Sequence, residues 1–195
     1  MGVSWEKERG KMARHYFLAV KLPNEIKNIL AEWKEMIEET TLFRSWVHKE
    51  DYHITLSFLG SAEEEQLKKL KQDLEQLAKV SRFSLTLQGC HTFGVKDQPR
   101  VFWAGLEEEQ ALFDLQKQVH TICEQNGFQL ETRPYHPHIT VARKWKGEEA
   151  FDKNALPAVP PRIFEVETVA LYETHVERMP KYEAIYEISL QNAQA

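Results

Sequence analysis

The sequence contains little cysteine and no long hydrophobic run. Its 195 residues include two cysteines, Cys90 and Cys123, and neither lies in a C-x-x-C or similar ligand spacing. This disfavours a disulfide-stabilised scaffold and a cysteine metal site, and a reducing compartment, the cytoplasm, is expected. No apolar run approaches the roughly 18 residues that a membrane helix needs. The first dozen residues are too charged for a secretory signal peptide, so no membrane association is expected.

The sequence also lacks an excess of basic residues. It has 25 Lys and Arg against 30 Asp and Glu, a formal net charge of -5. A broad electrostatic contact with a nucleic-acid backbone normally needs a basic surface, so that class of binding protein is disfavoured. A small basic pocket for one phosphate or one nucleic-acid end stays possible. Glycine-rich phosphate loops and the nucleophile elbow of serine hydrolases are absent as well.

The hydrophobic pattern predicts a mixture of strands and helices after a charged, aperiodic leader at residues 1–12. Residues 13–192 are predicted to form one domain, with strands at 14–22, 51–60, 82–90, 101–106, 135–144, 163–174 and 182–190. Helices are predicted from Asn24, after a capping box of Ser61 and Glu64, and over 108–125. Because this order has no regular βαβ repeat, it favours an α+β fold with antiparallel sheets.

One of these strands, "DYHITLSFLG" at residues 51–60, places polar groups on one face. His53, Thr55 and Ser57 fall on that face, and the opposite face is predicted to be buried through Tyr52, Ile54, Leu56 and Phe58. The tetrapeptide recurs as "HITV" from residue 138, a separation of 85 residues from His53. Two such half-units predict two lobes that bring the strands together across a cleft.

A pair of histidines suits the opening or closing of a phosphodiester. One group must take a proton from the attacking oxygen and another must supply a proton to the leaving oxygen. The unperturbed pKa of histidine, about 6.5, allows both protonation states near neutral pH. Thr55 and Thr140 lie two residues beyond each histidine and can bind phosphate oxygens. Arg143 can do the same, provided that its strand ends or bulges near Ala142, because strict alternation puts Arg143 on the face opposite His138.

Other interpretations of the histidines are less well supported. A single His-x-Thr is most often a structural feature of a sheet, and only the second copy favours a functional one. A metal site could use His53, His136 and His138, but no Asp, Glu or Cys except Asp51 lies nearby in a ligand-like spacing. We therefore predict no metal and no cofactor. The remaining histidines are interpreted as surface or packing residues (His91, His120, His175) or left undecided (His48).

The two tetrapeptides resemble the paired H-x-T-x signatures of the 2H phosphoesterase superfamily, and the chain is similar to its LigT-like RNA 2′,3′-cyclic phosphodiesterases, once described as 2′-5′ RNA ligases. The similarity extends from Arg14 to Leu190 through "FLAVKLP", "HITLSFLG", "PRVFWAGL", "RPYHPHITVAR" and "LYETHVERMPKYEAI". It implies a bilobal α+β fold, with two pseudo-symmetric lobes of antiparallel sheet, helices packed outside and both histidines in a central cleft.

The resemblance also implies an activity and residue roles. It implies metal-independent hydrolysis of RNA 2′,3′-cyclic phosphate ends to 2′-phosphates, with His53 as general acid and His138 as general base. Thr55, Thr140 and Arg143 hold the phosphate in this scheme, and Phe17 and Tyr182 match positions near the cleft, although both can equally be core aromatics. A monomer is expected. Small cyclic nucleotides as substrates, 2′-5′ RNA ligation and non-catalytic binding of RNA ends are the alternatives. Thr174 and His175 depart from the family pattern.

Overall fold

The computed structural model describes residues 14–192. The predicted leader at residues 1–12 lies outside the described residues, so the division into a leader and one domain of residues 13–192 stays a prediction. The elements are, in chain order, β1 (His15–Lys21), α1 (Asn24–Glu38), β2 (Phe43–Trp46), β3 (His53–Gly60), α2 (Glu64–Leu74), β4 (Phe83–Val95), β5 (Gln98–Leu106), α3 (Gln110–Gln125), β6 (Ile139–Trp145), β7 (Arg162–Val166), β8 (Thr168–Thr174) and β9 (Tyr182–Ser189).

The strands form two antiparallel sheets. The first sheet has the order β3-β1-β8-β9, and the second has the order β2-β6-β5-β4-β7. His53 therefore belongs to the first sheet, and the strand that follows His138 belongs to the second. The predicted α+β class with two antiparallel sheets is confirmed. Between residues 14 and 192, no helix is long and apolar enough to cross a membrane.

Each helix is amphipathic and buries the apolar side chains of one face. In α1, Trp33 is fully buried, and its ring lies 5.5 Å from that of Phe102 in β5. In α3, the inward residues are Leu112, Leu115, Val119 and Ile122. Complete burial of one such side chain contributes about 1.5–3 kcal/mol to folding. These helices therefore stabilise the sheets from the core side and leave the opposite strand faces free to line a site.

Three sequence predictions about local structure were wrong. Ser61 and Glu64 do not form a capping box, because Glu63 is still in an extended conformation and α2 begins only at Glu64, without a side-chain cap. The predicted strand at 163–174 is two strands, β7 and β8, which pair in different sheets. The strand predicted from residue 135 begins only at Ile139, so His138 directly precedes β6.

The prediction that Phe58 is buried was also wrong, and a bulge in β3 explains the error. Against β1, Ala19 pairs with Thr55 and Leu18 with Ser57, so Leu56 is an extra residue in β3. One extra residue reverses the alternation of side chains beyond it. Phe58 is accordingly 63% exposed and lies on the same face as Thr55.

Candidate active site

A cleft of about 500 Å³ lies between the two sheets, and its lining includes every site residue that the sequence predicted. The first sheet contributes His53 and Thr55, and the second contributes Thr140 and Arg143, with His138 just ahead of them in the chain. The seven predicted residues in the lining are Phe17, His53, Thr55, His138, Thr140, Arg143 and Tyr182. The fold therefore brings together two motifs that are far apart in the sequence.

The two histidines are held in the same way. The Nδ1 atom of His53 lies 2.7 Å from the carbonyl oxygen of Asp51, and the Nδ1 atom of His138 lies 2.7 Å from the carbonyl oxygen of His136. A carbonyl oxygen can only accept a hydrogen bond, so each Nδ1 carries a proton and donates it. In each ring Nε2 is then the nitrogen that can gain or lose a proton, which is what general acid–base chemistry requires.

Aromatic rings surround His53 on the first sheet. The ring centroid of His53 lies 4.8 Å from that of Phe17 and 5.2 Å from that of Tyr182, and Tyr172 is 6.1 Å away. Burial among these rings disfavours the charged imidazolium and lowers the pKa of His53 to about 4, although its hydrogen bond to the Asp51 carbonyl acts in the opposite direction. With a pKa of about 4, His53 is neutral at neutral pH in the protein without substrate.

A second aromatic group surrounds His138. Phe93 meets the His138 ring edge-on at 4.9 Å, and Trp103 lies 5.6 Å away. Burial lowers the pKa of His138, the hydrogen bond to the His136 carbonyl opposes this, and the positive charge of Arg143 lowers it further. The sequence analysis did not single out Phe93 or Trp103. Phe93 lies on β4 and Trp103 on β5, and their closeness to His138 follows only from the pairing of β4 with β5 and of β5 with β6.

The threonines lie beside the histidines on the cleft face. The Oγ1 atom of Thr55 is 3.1 Å from Nε2 of His53, so in the neutral ring the hydroxyl can donate to this nitrogen. Thr140 pairs with Trp103 across β5 and β6, and it also lines the cleft. Both hydroxyls can donate hydrogen bonds to an oxyanion that enters the cleft.

Arg143 reaches the cleft because β6 carries the bulge that the sequence analysis required. Phe102 pairs with Ala142 and Trp103 pairs with Thr140, so Val141 is an extra residue between them. The bulge puts Arg143 on the same face as Thr140, and the side chain lines the cleft opposite Thr55. A guanidinium at this place offers a planar pair of donors that matches two phosphate oxygens.

Asp51 is a buried residue of the site that the sequence analysis mentioned only as a possible ligand. Its side chain is 4% exposed, and its two carboxylate oxygens accept hydrogen bonds from the backbone N–H groups of Lys181 and Tyr182 at 2.9 and 3.0 Å. Asp51 thereby fixes the start of β9 against the segment that supports His53. Burial raises the pKa of Tyr182, and the nearby Arg143 partly offsets this effect.

His53, His136 and His138, which were considered as metal ligands, are not arranged to hold a metal ion together. Among residues 14–192, no group of three or more His, Cys, Asp or Glu side chains is arranged to hold a metal ion. The His136 carbonyl supports His138, and the His136 ring lies 6.5 Å from Phe93. Of the other histidines, His48 caps a short helix by accepting from the Glu50 N–H, and His120 pairs with Glu124 on the surface of α3.

Comparison with known proteins identifies a family that covers most of the chain. The family described as LigT like Phosphoesterase matches residues 20–103 and 105–182. The chain is 44% identical over 174 residues to an RNA 2′,3′-cyclic phosphodiesterase of Geobacillus stearothermophilus, which covers 88% of this chain and 55% of that protein. It therefore spans about half the length of this relative. It is 39% identical to the Bacillus subtilis RNA 2′,3′-cyclic phosphodiesterase, with 90% of this chain and 96% of the relative covered.

Solved structures of similar proteins have the same fold. Escherichia coli LigT complexed with 3′-AMP superposes with a TM-score of 0.76 at 25% identity, covering 91% of this chain and 98% of LigT. A protein of Thermus thermophilus superposes with a TM-score of 0.73 at 27% identity, covering 92% of this chain and all of the other. The two-sheet architecture is thus shared well beyond the histidine motifs.

Proposed function

The chain belongs to the LigT-like phosphoesterase family, and we propose that it hydrolyses terminal 2′,3′-cyclic phosphates of RNA to 2′-phosphates with two histidines as acid and base. One observation carries this proposal: both imidazoles have Nδ1 bound to a backbone carbonyl and both line one cleft that also contains Arg143. Two proton-transfer groups and a phosphate-binding cation are what in-line opening of a cyclic phosphodiester needs.

In the proposed reaction His138 acts as the base and His53 as the acid. Nε2 of His138 takes a proton from water as the water oxygen forms a bond to phosphorus. The bond between phosphorus and O3′ breaks, and Nε2 of His53 gives its proton to the departing O3′. The product keeps its phosphate on O2′. The anionic substrate must first raise the pKa of His53, since the ring is otherwise neutral at neutral pH.

The remaining residues of the cleft hold and orient the substrate in this scheme. Arg143 binds two non-bridging phosphate oxygens, and the hydroxyls of Thr55 and Thr140 bind the same group from opposite sheets. Phe17 and Tyr182 close the wall behind His53 and keep water away from its ring. Exclusion of water strengthens the interaction of the imidazolium with the phosphate.

We also propose the conditions under which the protein acts. It works without a metal or cofactor, as a monomer in the cytoplasm, on RNA ends or small nucleotides that carry a 2′,3′-cyclic phosphate. Rate measurements with and without EDTA test the first point, because the proposed steps use only protein side chains. Light scattering across a concentration series tests the second.

Product analysis with histidine variants tests the proposed activity. His53→Ala and His138→Ala should each lower kcat by about 10²–10⁴-fold, the usual contribution of one general acid or base. His120→Ala, on the surface of α3, is the matched control and should keep full activity. ³¹P NMR of the product distinguishes a 2′-phosphate from a 3′-phosphate. Full turnover in either cleft variant would contradict the two-histidine mechanism.

The alternative functions give different outcomes in the same assay. A small-nucleotide phosphodiesterase turns over a cyclic mononucleotide at least as well as an oligonucleotide. A ligase joins a cyclic phosphate end to a 5′-hydroxyl end when both are supplied. A non-catalytic binder retains a 2′-phosphate end without any turnover. The hydrolase is preferred to the non-catalytic binder because a binder has no use for two proton-transfer groups.

A further inference from the structure

A tyrosine hydroxyl connects the backbones of the two histidine motifs. The OH of Tyr135, three residues before His138, donates to the carbonyl oxygen of Thr55 at 3.0 Å. Thr55 is two residues after His53 and belongs to the first sheet, whereas Tyr135 leads into β6 of the second sheet. This hydrogen bond therefore crosses from one sheet to the other close to both catalytic imidazoles.

The Thr55 carbonyl needs this partner because of its position in the fold. β3 is an edge strand of the first sheet, so its outward carbonyls have no neighbouring strand. The next carbonyl, that of Leu56, accepts from Nε2 of Gln116 in α3 at 3.4 Å. Tyr135 is itself held by Phe113 of α3, whose ring meets it edge-on at 5.7 Å. Burial raises the pKa of Tyr135, so the hydroxyl stays protonated and remains a donor.

We propose that Tyr135 is a positioning residue, whose hydrogen bond to the Thr55 carbonyl sets the placement of His53 relative to His138. The inference rests on the proposed function, in which both imidazoles act on one phosphorus. Misplacement of a reacting group by about 1 Å can cost on the order of 100-fold in rate. Gln116 contacts the same edge but belongs to α3, so it does not connect directly to the His138 segment.

Steady-state kinetics of Tyr135→Phe test this role. The variant removes one oxygen and keeps the ring, and kcat for an RNA 2′,3′-cyclic phosphate should fall by about tenfold or more while KM changes by less than about twofold. Gln116→Met, which removes the other edge donor, is the matched control and should keep kcat within about twofold. Replacing Tyr135 with 4-aminophenylalanine restores a donor at the same position and should recover most of the rate.

Several results would overturn the inference. One is an unchanged kcat in Tyr135→Phe, and another is an equal loss of kcat in Gln116→Met. A third is a Tyr135→Phe variant that does not fold, because the hydroxyl would then serve folding rather than the placement of His53.

Inorganic phosphate gives an assay without turnover. Phosphate should shift the imidazole NMR signals of both His53 and His138 in the wild type, and the shift of at least one of them should fall by half or more in Tyr135→Phe.

The phosphate titration separates this inference from the proposed function. A wild-type protein that hydrolyses no cyclic phosphate contradicts the proposed function. The titration still decides whether the Tyr135 hydroxyl helps His53 and His138 to contact the same phosphate ion. If phosphate leaves both rings of the wild type unshifted, the two histidines do not share an anion and the inference fails. If the wild type is active and Tyr135→Phe matches it in both assays, only the inference fails.

Discussion

The ring of Phe17 lies 4.8 Å from the ring of His53, on the first sheet of the cleft. Phe17 is 2% exposed, so it shields the imidazole from water as well as contacting it. Phe17→Leu should let water closer and raise the pKa of His53 from about 4 toward the ordinary value of 6.5. An NMR titration of the His53 ring measures this. Phe93→Leu, beside His138, is the control and should leave the pKa of His53 unchanged. If the pKa of His53 is also unchanged in Phe17→Leu, shielding by Phe17 does not cause the low pKa.

The pH dependence of the reaction should differ between the free enzyme and the enzyme with substrate bound. His138 must be neutral to act as a base, so the rate rises as pH rises through its pKa. His53 must be protonated to act as an acid, so the rate falls as pH rises through its pKa. The negative phosphate favours the imidazolium form and raises the pKa of His53 in the complex. The falling limb of kcat should therefore lie at higher pH than that of kcat/KM, and coincident limbs would exclude this effect of the substrate.

Arg143→Lys should distinguish the contribution of the positive charge to phosphate binding from that of the planar guanidinium geometry. Lysine keeps the positive charge but loses the planar pair of donors. A charge-assisted hydrogen bond contributes about 1.5–3 kcal/mol, so kcat/KM should fall by about 10- to 150-fold. Arg44→Lys, an exposed change in β2 of the same sheet, is the control. Equal activity in both variants would show that Arg143 does not bind the phosphate.

Phe58 should bind the base of the terminal nucleotide. It is 63% exposed at the cleft, and its ring lies 5.9 Å from that of Phe17, which in turn contacts His53, the proposed acid. Stacking on an aromatic side chain contributes about 1–3 kcal/mol per base, so Phe58→Ala should lower kcat/KM for a normal RNA end by about 5- to 150-fold. The same variant should turn over an abasic cyclic phosphate end at the wild-type rate. Ile163→Ala, an exposed change on β7, controls for loss of surface apolar area.

Asp51→Asn should destabilise the start of β9. An amide offers one acceptor oxygen where the carboxylate offers two, so one of the backbone N–H groups of Lys181 and Tyr182 loses its partner. The free energy of unfolding should fall by about 1–3 kcal/mol in urea denaturation. The pKa of Tyr182 should also fall, because the Asp51 charge raises it. Asp114→Asn, on α3, is a control that should change neither quantity.

The periodicity of the sequence predicted most helices and strands, and the recurrence of His-Ile-Thr at residues 53 and 138 predicted the pair of histidines. The requirement for a bulge near Ala142 came from alternation alone, because Arg143 could not otherwise share a face with His138. The structure places the extra residue at Val141. Local patterns suffice in these cases because each helix, strand and tetrapeptide is recognised from a few consecutive residues.

Other features depend on contacts between distant segments and could not be predicted. The bulge at Leu56 is defined by pairing with β1, so alternation within β3 placed Phe58 on the wrong face. The low pKa of His53 comes from rings on three different strands. The bonds from Lys181 and Tyr182 to Asp51 span 130 and 131 residues. Each of these depends on the arrangement of whole sheets.

The matching carbonyl supports of His53 and His138 have a consequence for the direction of the reaction. Each ring has Nδ1 bound to a backbone carbonyl, which leaves Nε2 as the nitrogen that gains or loses a proton, so either ring can serve as the acid or as the base. The reverse reaction uses the same two groups with their parts exchanged, and a catalyst accelerates both directions by the same factor. Whether the 2′,3′-cyclic phosphate is opened by water or the 2′-phosphate closes again with release of water then depends on the relative free energies and concentrations of the two RNA ends, and the protein supplies only the rate.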